Sequence, residues 1–323
     1  MKKTIPVHLI VGPLGIGKTT AIINYLKRIA GFEFAAVLVN DFGPVGLDDA
    51  IVENQTGMPT GFGKVVMVPG GCICCSALPG MISAFKRIFE FPVVDRIIIE
   101  PSGIAQPGAI IDLICDLKRS HNIELRPIIG LVSPTLVAKG ALDNIPYYSR
   151  LVEAADILVA NRCDLAKPGE VEAFKTWAAG LYPPKQEILT TEHGQLPDRI
   201  FHIKHTNAMK ILAPTQADTA DAQAHELPHA GGILWPAGAT FTMAKVHAAL
   251  ERWLQDGIAG QTVLRLKGIL PTDEGWNLVE IAQNQIFIRP SEYRGGARLD
   301  WITPEPVAPA AVAKDLDVSL PIT

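Results

Sequence analysis

An octapeptide near the start of the chain constrains the fold more than any other feature. Residues 12–19 read GPLGIGKT and fit the pattern G-x-x-x-x-G-K-[ST] in full. The run Ile5–Val11 before it has the apolar, β-branched character of a buried strand, and Thr19–Ala30 after it carries the apolar stripe of a helix. Glycines let several backbone N–H groups point at one anion, and the helix adds its positive end. The order strand, loop, helix therefore predicts a phosphate-binding loop. The alternative is a glycine-rich turn with an exposed lysine.

Each residue type in and near this loop predicts a role. Lys18 would reach the β- and γ-phosphates, and the Thr19 hydroxyl would bind Mg²⁺. Glu100 ends a second apolar run, and an acid at that position holds Mg²⁺ directly or through water. Asp41 ends another strand, where it would order a mobile segment or position water, and the Gly103 N–H would sense the γ-phosphate. Both acids have the alternative of being solvated carboxylates at strand ends. The nucleotide contacts expected from the loop itself come from Gly12, Gly15, Ile16, Gly17, Lys18, Thr19 and Thr20.

The tetrapeptide NRCD at 161–164 predicts which base is bound. It resembles the guanine-reading Asn-Lys-x-Asp motif, with Arg162 in place of lysine. The Asp164 carboxylate would accept hydrogen bonds from guanine N1–H and the exocyclic amine, donors that adenine does not offer at those positions. Asn161 completes the motif. The position of the motif after a strand and downstream of the phosphate loop favours GTP over ATP, whereas the tetrapeptide alone also fits a helix cap.

Three of the five cysteines fall within four residues, at Cys72, Cys74 and Cys75. Closely spaced thiolates are a soft ligand set suited to Zn²⁺ or another transition metal. Closed structural zinc sites usually have four protein ligands, so three thiolates predict an open, exchangeable site. Buried core cysteines and a redox pair are the alternatives. Cys115 lies in an apolar helical pattern and is expected in the core, and Cys163 receives no metal role.

Histidines are concentrated in one part of the chain. Auxiliary metal ligation is one interpretation of these residues, and ordinary solvated side chains are the favoured one. The residues concerned are His193, His202, His205, His225 and His229.

The apolar patterning predicts an α/β fold of the P-loop NTPase type, with a doubly wound, mostly parallel sheet and a second, smaller α+β domain at the C-terminus. The expected boundaries are 1–205 for the GTPase domain, 206–230 for a linker, 231–305 for the second domain and 306–323 for a loose Pro/Ala-rich tail. In the first domain, the strands are expected at Ile5–Val11, Ala35–Val39, Lys64–Val68, Arg96–Ile99, Pro127–Val132 and Asp156–Ala160, and the helices at Thr19–Ala30, Pro107–Leu117 and Pro168–Leu181. In the second, a helix is expected at Met243–Leu254 and strands at Val263–Gly268, Trp276–Ala282, Gln285–Arg289 and Arg298–Ile302.

Composition excludes several classes of protein. Hydrophobic residues make up 48% of the 323 residues, which is ample for buried cores. The net charge of −4 lacks the basic excess of a nucleic-acid binder. No run approaches the length of about 18 apolar residues needed to cross a bilayer. An odd number of cysteines in a long chain argues against a secreted disulfide scaffold, so a cytoplasmic location is expected.

Taken together, these motifs resemble the CobW-type family of GTP-dependent metal chaperones over nearly the whole chain. The resemblance rests on GPLGIGKTT at 12–20, VNDFGPVGLD at 39–48, GCICC at 71–75, EPSGIAQP at 100–107, NRCD at 161–164, and a C-terminal stretch around VLRLKGIL at 263–270. It implies a GTPase that binds zinc, or sometimes cobalt, through its cysteines and hands the metal to a client metalloprotein.

The sequence departs from the family pattern at a few positions. Pro13, Ile16, Pro44 and Arg162 replace residues common in the family, and the histidine-rich run before the C-terminal domain is sparse. With no assured catalytic base or arginine finger, slow intrinsic hydrolysis is expected. Alternatives are a storage or sensor module with a vestigial nucleotide site, and a maturation factor dedicated to one client of the nitrile hydratase or cobalamin-pathway type. A homo-oligomer is compatible with the sequence.

Overall fold

The computed structural model divides the chain into two compact units. It describes residues 3–39, 63–67, 78–101, 107–144, 146–204, 229–236, 238–282, 284–291 and 296–318. Within these ranges, residues 3–204 contribute to the first unit and residues 229–318 to the second.

A parallel sheet forms the centre of the first unit. Its described strands are β1 (Ile5–Val11), β2 (Ala35–Val39), β3 (Gly63–Met67), β4 (Arg96–Glu100), β5 (Ile123–Leu125), β6 (Ile129–Val132), β7 (Ile157–Ala160) and β8 (Glu187–Thr190). The order across the sheet is β3-β2-β4-β1-β6-β7-β8, and β5 pairs with the first half of β1. The pairings between these described strands are parallel, so the carboxyl ends of the strands share one edge.

Helices cover both faces of this sheet. They are α1 (Lys18–Ile29), α2 (Leu78–Phe89), α3 (Pro107–Lys118), α4 (Pro134–Ala138), α5 (Ala141–Asn144), α6 (Pro146–Ala154) and α7 (Glu170–Ala179). Val7 and Leu9 of β1 pack into a core that includes buried residues of α2 and α3. On the opposite face, the ring of His8 contacts Phe201, which stacks on Tyr25 of α1 at 3.6 Å between ring centroids. The doubly wound α/β fold is thereby confirmed.

All six strands predicted for this unit are present, with ends shifted by at most two residues. The three predicted helices are also present. The short strands β5 and β8 and the helices α2, α4, α5 and α6 were not predicted. Pro127 explains one difference, because it falls between β5 and β6, which pair with successive halves of β1.

The second unit is an antiparallel sheet with two described helices. Its strands are β9 (His229–Leu234), β10 (Arg265–Thr272), β11 (Gly275–Ala282), β12 (Gln285–Pro290) and β13 (Arg298–Thr303), in the order β12-β11-β10-β13-β9. Helix α8 (Met243–Gln255) buries Val246, Leu250 and Trp253 against the sheet. The predicted helix and four strands are confirmed. Strand β9 begins at His229, inside the segment expected to be a linker, and residues 205–228 lie outside the described residues.

The expectation of a loose tail is wrong for residues 307–318. Helix α9 (Pro309–Asp315) packs Val312 and Ala313 into the core of the second unit, and Leu316 is buried beside them. The Trp253 indole N–H also donates a hydrogen bond of 2.7 Å to the Asp315 carboxylate. Proline at the first helical turn and small apolar residues after it form a helix here, because a core is available to bury one side of it.

In the described part of the chain, none of the helices has both the length and the apolar character needed to span a bilayer.

Candidate functional site

The loop between β1 and α1 adopts a conformation that needs glycine. Gly12 has φ +151°, and a Cβ there would lie 2.3 Å from the Leu131 carbonyl oxygen. Gly15 and Gly17 also have positive φ, and a Cβ on Gly17 would lie 2.8 Å from the Asn161 amide nitrogen. No side chain caps the N-terminus of α1. A tight backbone loop therefore leads directly into the N-terminus of α1, where the first amide N–H groups have no side-chain cap. This is the arrangement that binds phosphate groups.

Lys18 supplies the positive charge of this loop. Its side chain is buried, and the ammonium donates to the Gly12 carbonyl at 3.0 Å and the Pro13 carbonyl at 3.2 Å. These contacts fold the lysine back over the loop that precedes it. A buried cation held by carbonyl dipoles creates a strong local attraction for an anion, because little water screens it.

Thr19 and Glu100 bring two oxygen donors together across 81 residues of sequence. The Thr19 hydroxyl donates to Glu100 Oε1 at 2.9 Å, and Glu100 is buried at the carboxyl end of β4. Strand β4 pairs directly with β1, which places its end beside the loop. A hydroxyl and a carboxylate are hard oxygen ligands that suit Mg²⁺, so the donor chemistry fits that ion. Ile16 is buried in the loop, and Thr20 is half-buried in the first turn of α1.

Asn161 connects the phosphate loop to a distant segment. The residue is buried at the end of β7, and its amide nitrogen donates to the Ile16 carbonyl at 2.8 Å. Its amide oxygen accepts from the Gly194 N–H at 3.0 Å. One side chain therefore fixes the loop after β8 against the phosphate loop.

Asp164 lies beside the segment that follows β8. We name this segment, residues 191–196, the β8 loop. The Asp164 carboxylate is 3.8 Å from His193 Nδ1. The Thr191 N–H donates to the Ala160 carbonyl at 2.7 Å, which extends the pairing of β7 and β8 into the loop. Sequence reasoning missed the β8 loop as part of the site. The polar run Glu192–Gly194 would have indicated it, had β8 been recognised.

Arg162 and Cys163 complete the tetrapeptide. Arg162 has φ +62°, a left-handed conformation that turns the chain sharply after β7. The Cys163 thiol donates to the Ala160 carbonyl at 3.4 Å, and burial raises its pKa. A raised pKa keeps the thiol protonated near neutral pH, whereas a metal ligand is the thiolate.

Five of the predicted site residues lie outside the described residues. They are Asp41, Cys72, Cys74, Cys75 and Gly103.

Cys115 packs against the core of the first unit, as predicted, and burial raises the pKa of its thiol. Among the clustered histidines, His193 lies in the β8 loop, His202 follows a short 3₁₀ turn and His229 begins β9. His205 and His225 lie outside the described residues.

Comparison with known proteins identifies similar sequences. The profile of the CobW/HypB/UreG nucleotide-binding domain matches residues 6–188, more than half of the chain. The zinc chaperone YeiR of Escherichia coli K12 is 31% identical over 219 residues, which are 68% of this chain and 63% of YeiR. The match thus spans a little under two thirds of YeiR. The zinc chaperone CobW of a Sinorhizobium species is 25% identical over 297 residues, covering 82% of this chain and 80% of CobW.

Solved structures also align with this chain. The Zn(II)-bound YjiA GTPase of E. coli aligns over 97% of this chain and 99% of its own, at 18% identity and a TM-score of 0.40.

Proposed function

The chain belongs to the CobW/HypB/UreG family, and we propose that it is a GTP-hydrolysing metallochaperone. In this proposal, Cys72, Cys74 and Cys75 bind zinc or cobalt, and the bound metal is delivered to a client metalloprotein. The similar proteins YeiR and CobW are named zinc chaperones, which supports the choice of metal.

The hydrogen bond between Thr19 and Glu100 is the observation that carries the nucleotide part of the proposal. It brings the hydroxyl of the phosphate loop within 2.9 Å of a buried carboxylate on the neighbouring strand. Mg²⁺ bound there would neutralise charge on the β- and γ-phosphates. Lys18 would contribute a second positive charge after exchanging its carbonyl acceptors for phosphate oxygens. Asp41 and Gly103 are proposed to order the segments that respond to the γ-phosphate.

Asp164 is proposed to select guanine. Its side chain is about one quarter exposed beside the β8 loop, so it is accessible to a base. Asn161 acts indirectly, because its two hydrogen bonds hold the β8 loop and the phosphate loop in one arrangement. The buried Asn161 side chain thereby contacts both the loop proposed to bind the phosphates and the loop beside the proposed base site.

The position of the proposed metal motif in the sequence supports coupling to this site. Strand β3 ends at Met67, and only β2 separates it from β4, at whose end Glu100 lies. Cys72 follows Met67 by five residues of sequence. Two strand spacings, about 10 Å, separate β3 from β4. Segments ordered by GTP and released on hydrolysis would therefore act on neighbouring chain.

Nucleotide binding tests the proposal. We expect the full chain with Mg²⁺ to bind fluorescent GDP and to resist displacement by ATP. Asp164→Asn should lose about 10- to 100-fold in GDP affinity, because a hydrogen bond to a charged group contributes about 1.5–3 kcal/mol. The same variant should gain affinity for xanthosine diphosphate, whose carbonyl accepts from an amide N–H. A chain that binds no nucleotide would instead support the storage or sensor alternative.

A further inference from the structure

A group of metal-ligating side chains lies beside the proposed base site. Asp164, Glu192 and His193 each offer one ligand atom, and all three atoms lie within 4.8 Å of one another. Within the described ranges no other triad of histidine, cysteine and acidic residues meets this condition. His193 Nδ1 and Asp164 Oδ2 are 3.8 Å apart, and the His193 side chain is 72% exposed.

The backbone that carries these side chains is fixed at several points. Asn24 of α1 donates to the His193 carbonyl at 2.8 Å, and Thr191 donates from its hydroxyl to the Gln195 carbonyl at 2.7 Å. Asn161 holds Gly194 from the other side. These hydrogen bonds hold the backbone on both sides of Glu192 and His193 in place, so the two side chains start from a fixed loop.

The spacing and donor types fit one class of ion. Ligand atoms about 2.0–2.2 Å from a tetrahedral ion are about 3.4 Å apart, so small side-chain rotations would close the present distances. One imidazole nitrogen with two carboxylate oxygens suits Zn²⁺, Co²⁺ or Ni²⁺, whereas Mg²⁺ and Ca²⁺ prefer oxygen ligands alone.

We propose that Asp164, Glu192 and His193 form a second site for a divalent transition metal ion, separate from the cysteine motif, and that this ion and guanine exclude each other. The exclusion rests on the proposed function, since it needs Asp164 to bind the base. A metal ion on the Asp164 carboxylate would neutralise its charge and turn it toward Glu192 and His193, away from the orientation in which both oxygens accept from guanine. By linkage, bound nucleotide lowers the affinity for the metal ion by the same factor by which the bound ion lowers the affinity for nucleotide. A free-metal excess would thus lower nucleotide loading.

Zinc titration in the absence of nucleotide tests the site. The full chain is prepared with Cys72→Ser, Cys74→Ser and Cys75→Ser, so that it lacks the three thiolates. Competition with a chromogenic chelator then measures the remaining zinc affinity. His193→Ala or Glu192→Gln in this background should lower the zinc affinity by at least about tenfold. Even the loss of a residue that only hydrogen-bonds to a metal ligand lowers metal affinity by about 10–100-fold. His193→Ala and Glu192→Gln are both measured so that the test still holds if one of them fails to fold.

His247 provides the matched control. Its Nδ1 lies 3.6 Å from the Glu251 carboxylate on the exposed face of α8, the same kind of pair outside the triad. His247→Ala should leave zinc affinity unchanged. Equal zinc affinity in the cysteine-free chain with and without His193→Ala and Glu192→Gln would overturn the site.

GDP titration tests the exclusion. In the cysteine-free chain, zinc at ten times its dissociation constant should raise the apparent GDP dissociation constant about tenfold, and His193→Ala should remove this zinc dependence. Zinc that binds at the triad without changing GDP affinity would overturn the exclusion alone. A chain that binds no GDP at all would refute the proposed function and the exclusion, while the zinc titration still decides the site.

Discussion

Asn161 shows how one side chain can hold a site together. It bonds to the Ile16 carbonyl and the Gly194 N–H, and it is 2% exposed. Replacing it with alanine leaves both groups unsatisfied, and a buried unsatisfied group costs about 1–3 kcal/mol. We expect Asn161→Ala to lower the free energy of unfolding by about 2–4 kcal/mol in urea titrations. Asn24→Ala removes a single exposed hydrogen bond and should cost under about 1 kcal/mol. Equal losses in the two variants would contradict the bridging role.

Thr19 tests the proposed Mg²⁺ ligation at the same scale. Thr19→Ala removes the hydroxyl that reaches Glu100, so GTP affinity should become nearly independent of Mg²⁺. Thr19→Ser keeps the hydroxyl and should retain most of the dependence. The measurement is GTP affinity with Mg²⁺ and with EDTA. A Mg²⁺ effect that is undiminished in Thr19→Ala would exclude this hydroxyl as a ligand.

His8 links a buried residue to pH. Burial, and then the positive charges of Arg96, Arg126 and His202, lower its pKa to about 3 from an ordinary value of 6.5. The folded chain therefore keeps His8 neutral while the unfolded chain takes up a proton below pH 6.5. Stability is full above that pH and falls as pH drops toward 3, by up to about 1.4 kcal/mol per pH unit. This contribution should be absent from a variant without the imidazole.

Chemical unfolding between pH 5.5 and 4.5 measures that contribution. The difference in unfolding free energy between the unsubstituted chain and His8→Gln should shrink by about 1 kcal/mol over this range. His247→Gln, at an exposed position, is the control for replacing an imidazole with an amide. A His8→Gln difference that does not change with pH would contradict the assignment.

At the scale of elements, burial decided which strands were predictable. Strands β2, β4 and β7 are buried at every residue and read as continuous apolar runs. Strand β8 is half-exposed and begins with glutamate, and β5 has three residues, so neither gives a clear period. Helix α9 was missed for a related reason. Its alanines and proline carry little helical signal until the core of the second unit covers one side.

Leu316 tests whether α9 is part of that core. It is 2% exposed next to Val312, and Leu316→Ala should lower the stability of the second unit by about 2–5 kcal/mol. Ala310→Ser, at an exposed position of the same helix, should change it by under about 0.5 kcal/mol. Thermal unfolding followed by tryptophan fluorescence reports on Trp253 and Trp301 in this unit. A loss below about 1 kcal/mol for Leu316→Ala would indicate that the segment is loosely attached.

At the scale of the whole molecule, local motifs predicted part of the candidate site and long-range contacts did not. Residues 12–19 form a contiguous pattern, so their loop was readable from spacing alone. The β8 loop joins Asn161 and Asn24 over 33 and 169 residues of sequence, and no local signal encodes such contacts. The triad around His193 follows from the same folding, because its members become neighbours only when β7 and β8 pair.

The central claim is that nucleotide state controls metal affinity. Chelator competition on the full chain, saturated with Mg²⁺ and either GDP or a non-hydrolysable GTP analogue, measures this most directly. Saturating nucleotide blocks the Asp164 triad in both states, so the comparison reports on the cysteine motif. We expect zinc affinities that differ by about 5–150-fold, corresponding to about 1–3 kcal/mol of coupling. The difference should vanish when Cys72, Cys74 and Cys75 are replaced by serine. Equal zinc affinity in the two nucleotide states would contradict the account.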